Sequence, residues 1–111
     1  MTDGIHSPNF SFFEQTGFDI NVLNSTSDVW DAAGFLQVST QAFVTSGAWG
    51  ATVIQAQCSA DGVNFVDIPG KTLTSAGVLG EVTVGTEYFR VKVTTAAGVA
   101  GVVTFTVNLK R

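Results

Sequence analysis

The chain is short of cysteine, histidine, proline and charge, and each shortage removes a class of function. One cysteine, Cys58, and one histidine, His6, among 111 residues exclude an internal disulfide framework and any multi-cysteine zinc site. They leave a single conceivable Cys/His nucleophilic pair, but nothing around Cys58 would activate a thiolate. Its place beyond Ile54 and Ala56 in an alternating run reads as a small buried apolar residue. Charged residues make up 13% of the chain against a typical share of about 25%. The surface must therefore be covered by Ser, Thr, Asn, Gln and Gly, or be partly hidden against another chain. The five basic residues, against nine acidic ones and a net charge of −4, are Lys71, Arg90, Lys92, Lys110 and Arg111. They do not interleave with stacking aromatics, so no nucleic-acid partner is expected. Arg90 and Lys92 share one strand face and read either as solvated charges or as a small anion site. No stretch approaches the ~18 to 20 apolar residues of a membrane span. Met1 to His6 lacks the basic start and apolar run of a secretion signal, and no membrane partner is expected.

Catalytic and metal-binding patterns are equally sparse. The acids Asp3, Glu14, Asp19, Asp28, Asp31, Asp61, Asp67, Glu81 and Glu87 contain no pair spaced for general acid and base work. Asp28, Asp31, Asp61, Asn64 and Asp67 have the right oxygen chemistry for calcium, yet lack the dense ligand spacing of calcium loops. Asp61 also stands at a turn position that Asp favours for its own geometry. There is no glycine-rich phosphate loop leading into a helix and no serine nucleophile elbow. Two glycosylation tripeptides, Asn9-Phe10-Ser11 and Asn24-Ser25-Thr26, are chance matches in a chain rich in Ser and Thr. The chain is expected not to be an enzyme and to need no cofactor or metal.

What is present is strand alternation punctuated by turns. Around Cys58-Ser59-Ala60-Asp61-Gly62-Val63-Asn64-Phe65, an Asp-Gly turn between alternating apolar runs predicts a tight β-hairpin, because Gly accepts positive φ without strain and Asp tolerates it. Thr52, Ile54, Ala56 and Cys58 fall on one side before it. Val63, Phe65, Val66 and Ile68 follow, ended by Pro69-Gly70. Phe18, Ile20 and Val22 predict an earlier strand that stops at the turn formers Asn24 to Asp28. Residues 29 to 34 read as a connection or one helical turn. Leu36, Val38, Thr40 and Ala42 alternate in a longer strand. Lys71 to Thr74 pair briefly, and Val82 and Val84 mark a short strand. Phe89, Val91 and Val93 inward against Arg90 and Lys92 outward form the clearest half-buried strand, and Val103, Phe105, Val107 and Leu109 form the last. About seven or eight short strands without an amphipathic helix predict an all-β antiparallel sandwich, Ig-like or jelly-roll-like, over residues 18–111.

Residues 1–17 read differently. Pro8, Gly17 and the aromatics Phe10, Phe12 and Phe13 give an apolar N-terminal arm or edge segment without long periodicity. Either these rings cap the protein's own core or they dock on a neighbouring subunit. Trp30 and Trp49 likewise have two readings: plugs at the end of the core, or an exposed indole platform for a sugar.

Trp49, the Ser59-Ala60-Asp61-Gly62-Val63-Asn64-Phe65 hairpin, the strand Tyr88-Phe89-Arg90-Val91-Lys92-Val93 and the valine-rich last strand together resemble small β-sandwich modules of tailed-bacteriophage virions. These are capsid decoration (cement) proteins and head-fibre or tail-associated modules. The likeness is one of strands and turns, spans roughly the last two thirds of the chain, and carries no catalytic residue. It implies a non-enzymatic viral structural protein, in its most specific form a capsid decoration protein that stabilises the particle by bridging capsid subunits. Such a protein is made in the host cytoplasm and resides on the virion. It contacts the major capsid protein or another virion protein and forms a homo-oligomer, a trimer first of all. Phe10, Phe12 and Phe13 are the expected partner contacts. Similar hairpins occur in sugar-binding and bacterial surface sandwiches, so a carbohydrate-binding module using Trp30 and Trp49, or a tail or fibre adhesion module, is the alternative.

Overall fold

The computed structural model describes residues 10–32, 37–83 and 88–110, with residues 10–12, 79–83 and 110 described as backbone. Eight strands follow in chain order: β1 (Phe10–Asp19), β2 (Trp30–Asp31), β3 (Gln37–Gly47), β4 (Val53–Ser59), β5 (Val66–Leu73), β6 (Gly77–Thr83), β7 (Tyr88–Thr95) and β8 (Gly101–Lys110). They form two four-stranded sheets, ordered β1-β8-β3-β6 and β2-β7-β4-β5, and every pairing is antiparallel. The pairs β1·β8, β2·β7, β3·β6 and β4·β5 are those of one long hairpin whose tip lies between β4 and β5. Rolled into two layers, that hairpin gives the strand order of a jelly roll.

Period-two alternation builds the core. Val38 and Ala42 of β3, Ile54 and Ala56 of β4, Phe89, Val91 and Val93 of β7, and Val103, Phe105, Val107 and Leu109 of β8 are buried between the sheets, as the sequence predicts. Each fully buried Val, Ile, Leu or Phe contributes about 1.5–3 kcal/mol. The aromatic centre joins both layers: the Phe105 ring lies 5.1 Å from Phe18 and 6.2 Å from Trp30, and Trp30 stacks at 6.0 Å on Phe89. Thr40 is a polar member of this interior, 1% exposed, with a hydroxyl that has no hydrogen-bond partner among the described residues.

Four local expectations are corrected. The first strand starts by Phe10 and ends at Asp19, running through the expected junction between residues 17 and 18. Gly17, at φ 71°, absorbs a bulge between Gln15 and Phe18 instead of ending the segment. Ile20 stays buried, but Val22 is exposed, because Asn21 to Asn24 turn the chain. Trp30 and Asp31 form a short strand on β7 rather than a helical turn. β5 continues through Pro69 and Gly70, which sit in the irregular stretch of the register between Gln55 and Gln57. The proline is tolerated because β5 is an edge strand and its missing donor breaks no ladder on the far side. Leu36 and Val84 lie outside the described residues.

One end of the sandwich is tied by backbone hydrogen bonds among three turns: Ala48 N to Ala100 O (3.1 Å), Ala51 N to Ala97 O (3.0 Å) and Ala97 N to Ile20 O (3.1 Å). Gly47, at φ 74°, is required there, since a Cβ would collide with the Ala100 carbonyl.

Candidate functional site

The jelly roll leaves two outer faces and several edges as places where a partner or ligand would bind. On the first sheet, inward Val38, Thr40 and Ala42 place Ser39, Gln41, Phe43 and Thr45 on the outer side of β3, and inward Val103, Phe105 and Val107 place Thr104, Thr106 and Asn108 on the outer side of β8. None of these seven side chains is charged. Phe43 is 42% exposed and is paired with Thr104, so an aromatic ring stands in the middle of a polar, uncharged surface. On the neighbouring edge strand, Glu14, opposite Thr106, brings a charge to the margin of this face.

The second sheet is different. Gln57 and Ser59 point outward from β4, yet are only 6% and 2% exposed, because the loop after β4 folds back across them. Rather than a two-residue turn, the hairpin has six loop residues, 60–65. Asp61 explains the extra length. Its Oδ1 accepts hydrogen bonds from the Val63 and Asn64 amides and the Ser59 hydroxyl, each at 2.8 Å, while Oδ2 accepts from Asn64 Nδ2 at 2.9 Å. A carboxylate so surrounded by donors organises a wide loop of its own. The Asn64 and Val63 amides, then the Ser59 and Asn64 side chains, hold its pKa far below the usual carboxylate range. Gly62, at φ 77°, lies over the Tyr88 ring, where a Cβ would stand 3.4 Å from the nearest ring carbon.

The loop delivers Phe65 to Arg90. The guanidinium carbon sits 3.9 Å from the Phe65 ring centroid, Arg90 Nε donates to Gln57 Oε1 at 2.8 Å, and Gln57 Nε2 donates to Asp67 Oδ1 at 2.8 Å. Asp67, Gln57, Arg90 and Phe65 thus form one continuous chain of contacts across β5, β4, β7 and the loop. Beside it, Gln55 Nε2 donates to the carbonyls of Ile68 and Ala56 (2.8 Å each) and Lys71 (3.3 Å), which closes the irregularity around Pro69-Gly70. None of this was read from the sequence. Ser59, Asp61 and Asn64 carry a legible turn spacing, but the Arg90 contacts depend on cross-strand register.

The residues singled out in the sequence fall in separate places. Phe13 packs against the core, whereas Phe10 and Phe12 occupy ladder positions opposite Lys110 and Asn108. Trp30 is 3% exposed and offers a sugar no face, because it is held between Phe89 and Phe105. Trp49 is half-buried and donates Nε1–H to Thr52 O at 2.9 Å. It precedes β4, while Trp30 lies level with the far end of that strand, beside Phe89 and Cys58. The two indoles are therefore a strand length, ~20 Å, apart and form no common platform. Asp28 and Asp31 flank one edge of the second sheet, Asp61 and Asp67 the other side, and no group of three potential metal ligands occurs among the described residues. Cys58 is half-buried against the core. His6 lies outside the described residues.

No protein-family model matches the chain, and no curated protein matches it. Two solved structures align with it along most of its length. The SPBc2 prophage-derived protein YomS superimposes with a TM-score of 0.60 at 10% identity, over 92% of this chain and 95% of that one. FlhE aligns at 14% identity over 91% of this chain and 96% of its own, with a TM-score of 0.46. The first likeness establishes a shared fold along nearly the whole length of both proteins.

Proposed function

We propose that this chain is a non-enzymatic structural protein of a bacteriophage particle, acting as a homo-oligomeric capsid decoration protein that bridges neighbouring virion subunits. The observation that carries the reading is the outer side of the two central strands of the first sheet: four successive outward positions on β3 and three on β8, from Thr104 to Asn108, carry no charge, and the exposed Phe43 ring stands among them. Charge-poor faces with an exposed ring suit burial against another protein, since covering them desolvates few ions and removes apolar area from water at about 25 cal/mol per Å². The full-length likeness to a prophage-derived protein supports the phage setting by analogy of fold. The burial of Trp30 counts against the sugar-binding alternative.

The test is direct. Antibodies against the purified chain, applied to particles released from cells that encode it, are expected to label the particle surface by immunogold microscopy. Particles free of label, with the chain left in the soluble fraction, would overturn the proposal.

A further inference from the structure

We propose that Asp61-Gly62 is a latent aspartate-to-isoaspartate isomerisation site, and that Ser59 and Asn64 hold it shut in the folded chain. The inference concerns the loop of the second sheet and stands independently of the function proposed above.

An Asp-Gly pair is where this spontaneous rearrangement meets least hindrance, because glycine has no side chain to shield its amide nitrogen. The chain contains two such pairs, Asp3-Gly4 and Asp61-Gly62. In the reaction the Gly62 nitrogen attacks Cγ of the protonated Asp61 carboxyl. The N–Cγ bond forms, the amide hydrogen and the carboxyl OH leave as water, and a five-membered succinimide results. Water then adds to the ring at the Asp61 main-chain carbonyl carbon and breaks its bond to the Gly62 nitrogen. The chain now runs through Cβ and Cγ as isoaspartate, one carbon longer. One water is released and one consumed, and no other reactant is needed.

In the folded loop both reacting groups are already committed. The Gly62 nitrogen donates to Ser59 Oγ at 3.0 Å, and the same hydroxyl donates to Asp61 Oδ1 at 2.8 Å. Ser59 thus tethers nucleophile and electrophile through one oxygen, and it is itself fixed, 2% exposed. The Val63 and Asn64 amides also converge on Oδ1, and Asn64 Nδ2 donates to Oδ2 at 2.9 Å. A carboxylate bound by so many donors resists the protonation that must precede loss of its oxygen as water. Gly62 lies over the Tyr88 ring, so the loop has to open before its nitrogen can turn onto Cγ. The stakes extend past the loop. An extra main-chain carbon here would break the register that brings Phe65 to Arg90, and with it the organised outer face of the second sheet.

Long incubation of the full-length chain at neutral pH, folded and in guanidinium chloride, tests this by peptide mapping, with isoaspartate counted at each Asp-Gly pair. In denaturant Asp3 and Asp61 are expected to isomerise at comparable rates. In the folded chain Asp61 is expected to react about tenfold or more slowly than in denaturant, because only the open loop is reactive. Ser59→Ala removes the tether and is expected to restore most of the denatured rate at Asp61. Should it fail to fold by circular dichroism, Asn64→Ala, at an exposed position, removes the Oδ2 donor and is expected to speed the reaction several-fold. Equal rates at Asp61 in the folded and denatured chain, or folded variants as slow as wild type, would each overturn the inference. None of these results depends on particles, so its failure is separable from a failure of particle labelling.

Discussion

The two sheets are alike on the inside and unlike on the outside. Inward, both follow the same two-residue period, with Val103, Phe105 and Val107 answering Phe89, Val91 and Val93. Outward, the central strands of the first sheet carry Ser, Thr, Gln, Asn and one phenylalanine, while the second sheet carries a loop folded back on itself and an arginine fixed by two neighbours, Gln57 and Phe65, the first of them held in turn by Asp67. The inner faces specify the fold, and the outer faces distinguish a surface left to be covered from one already organised.

Breaking the shared interior should give the largest effects, and equal ones on the two sides. Phe105→Ala and Phe89→Ala are each expected to destabilise the protein by about 3–5 kcal/mol in denaturant unfolding, because each ring anchors the cluster that joins the layers through Trp30. A marked inequality would mean that one sheet carries the core.

The outer faces should then separate. Gln57→Ala removes a buried amide that serves both Asp67 and Arg90, and is expected to cost about 1–3 kcal/mol. Gln41→Ala, at a comparable outward position on the first sheet, should stay within about 0.5 kcal/mol. Equal costs would erase the contrast. At the edge of this scale, Thr40→Val should stabilise the fold by about 1 kcal/mol, since it replaces a buried hydroxyl lacking a partner with a methyl group.

Acid should act on the loop of the second sheet. The Asp61 pKa is depressed in the folded state, so its contribution is present in full above the unfolded value of 3.8 and is lost as pH falls below that towards the folded value. Wild type is expected to lose its stability advantage over Asp61→Ala on acidification below about pH 4. An advantage independent of pH would show that the carboxylate charge does not hold the loop.

The sequence announced the core and the strand count because alternation is a local signal: the inward residues Phe89, Val91 and Val93 of β7 and Val103, Phe105, Val107 and Leu109 of β8 read correctly against their immediate neighbours. It did not announce where β1 begins, since Gly17 serves equally as a terminator or as a bulge, and only pairing with β8 decides between them. The passage of β5 through Pro69-Gly70 was hidden for the same reason. The candidate site was less legible still. Ser59, Asp61 and Asn64 form a readable turn, but the convergence of Asp67, Gln57, Arg90 and Phe65 arises from three strands in register and has no counterpart in linear spacing. Trp30 had two readings, a core plug or a sugar platform, because its chemistry suits either, and burial alone separates the two.

The most direct test of the central claim, that the charge-poor outer side of the first sheet is the surface this protein places against a particle, is cosedimentation of wild type and Phe43→Glu with particles lacking the chain. Wild type is expected to pellet with the particles, and Phe43→Glu, with an unchanged melting temperature, to remain in the supernatant. Equal pelleting of the two proteins, or no pelleting of either, would contradict the account.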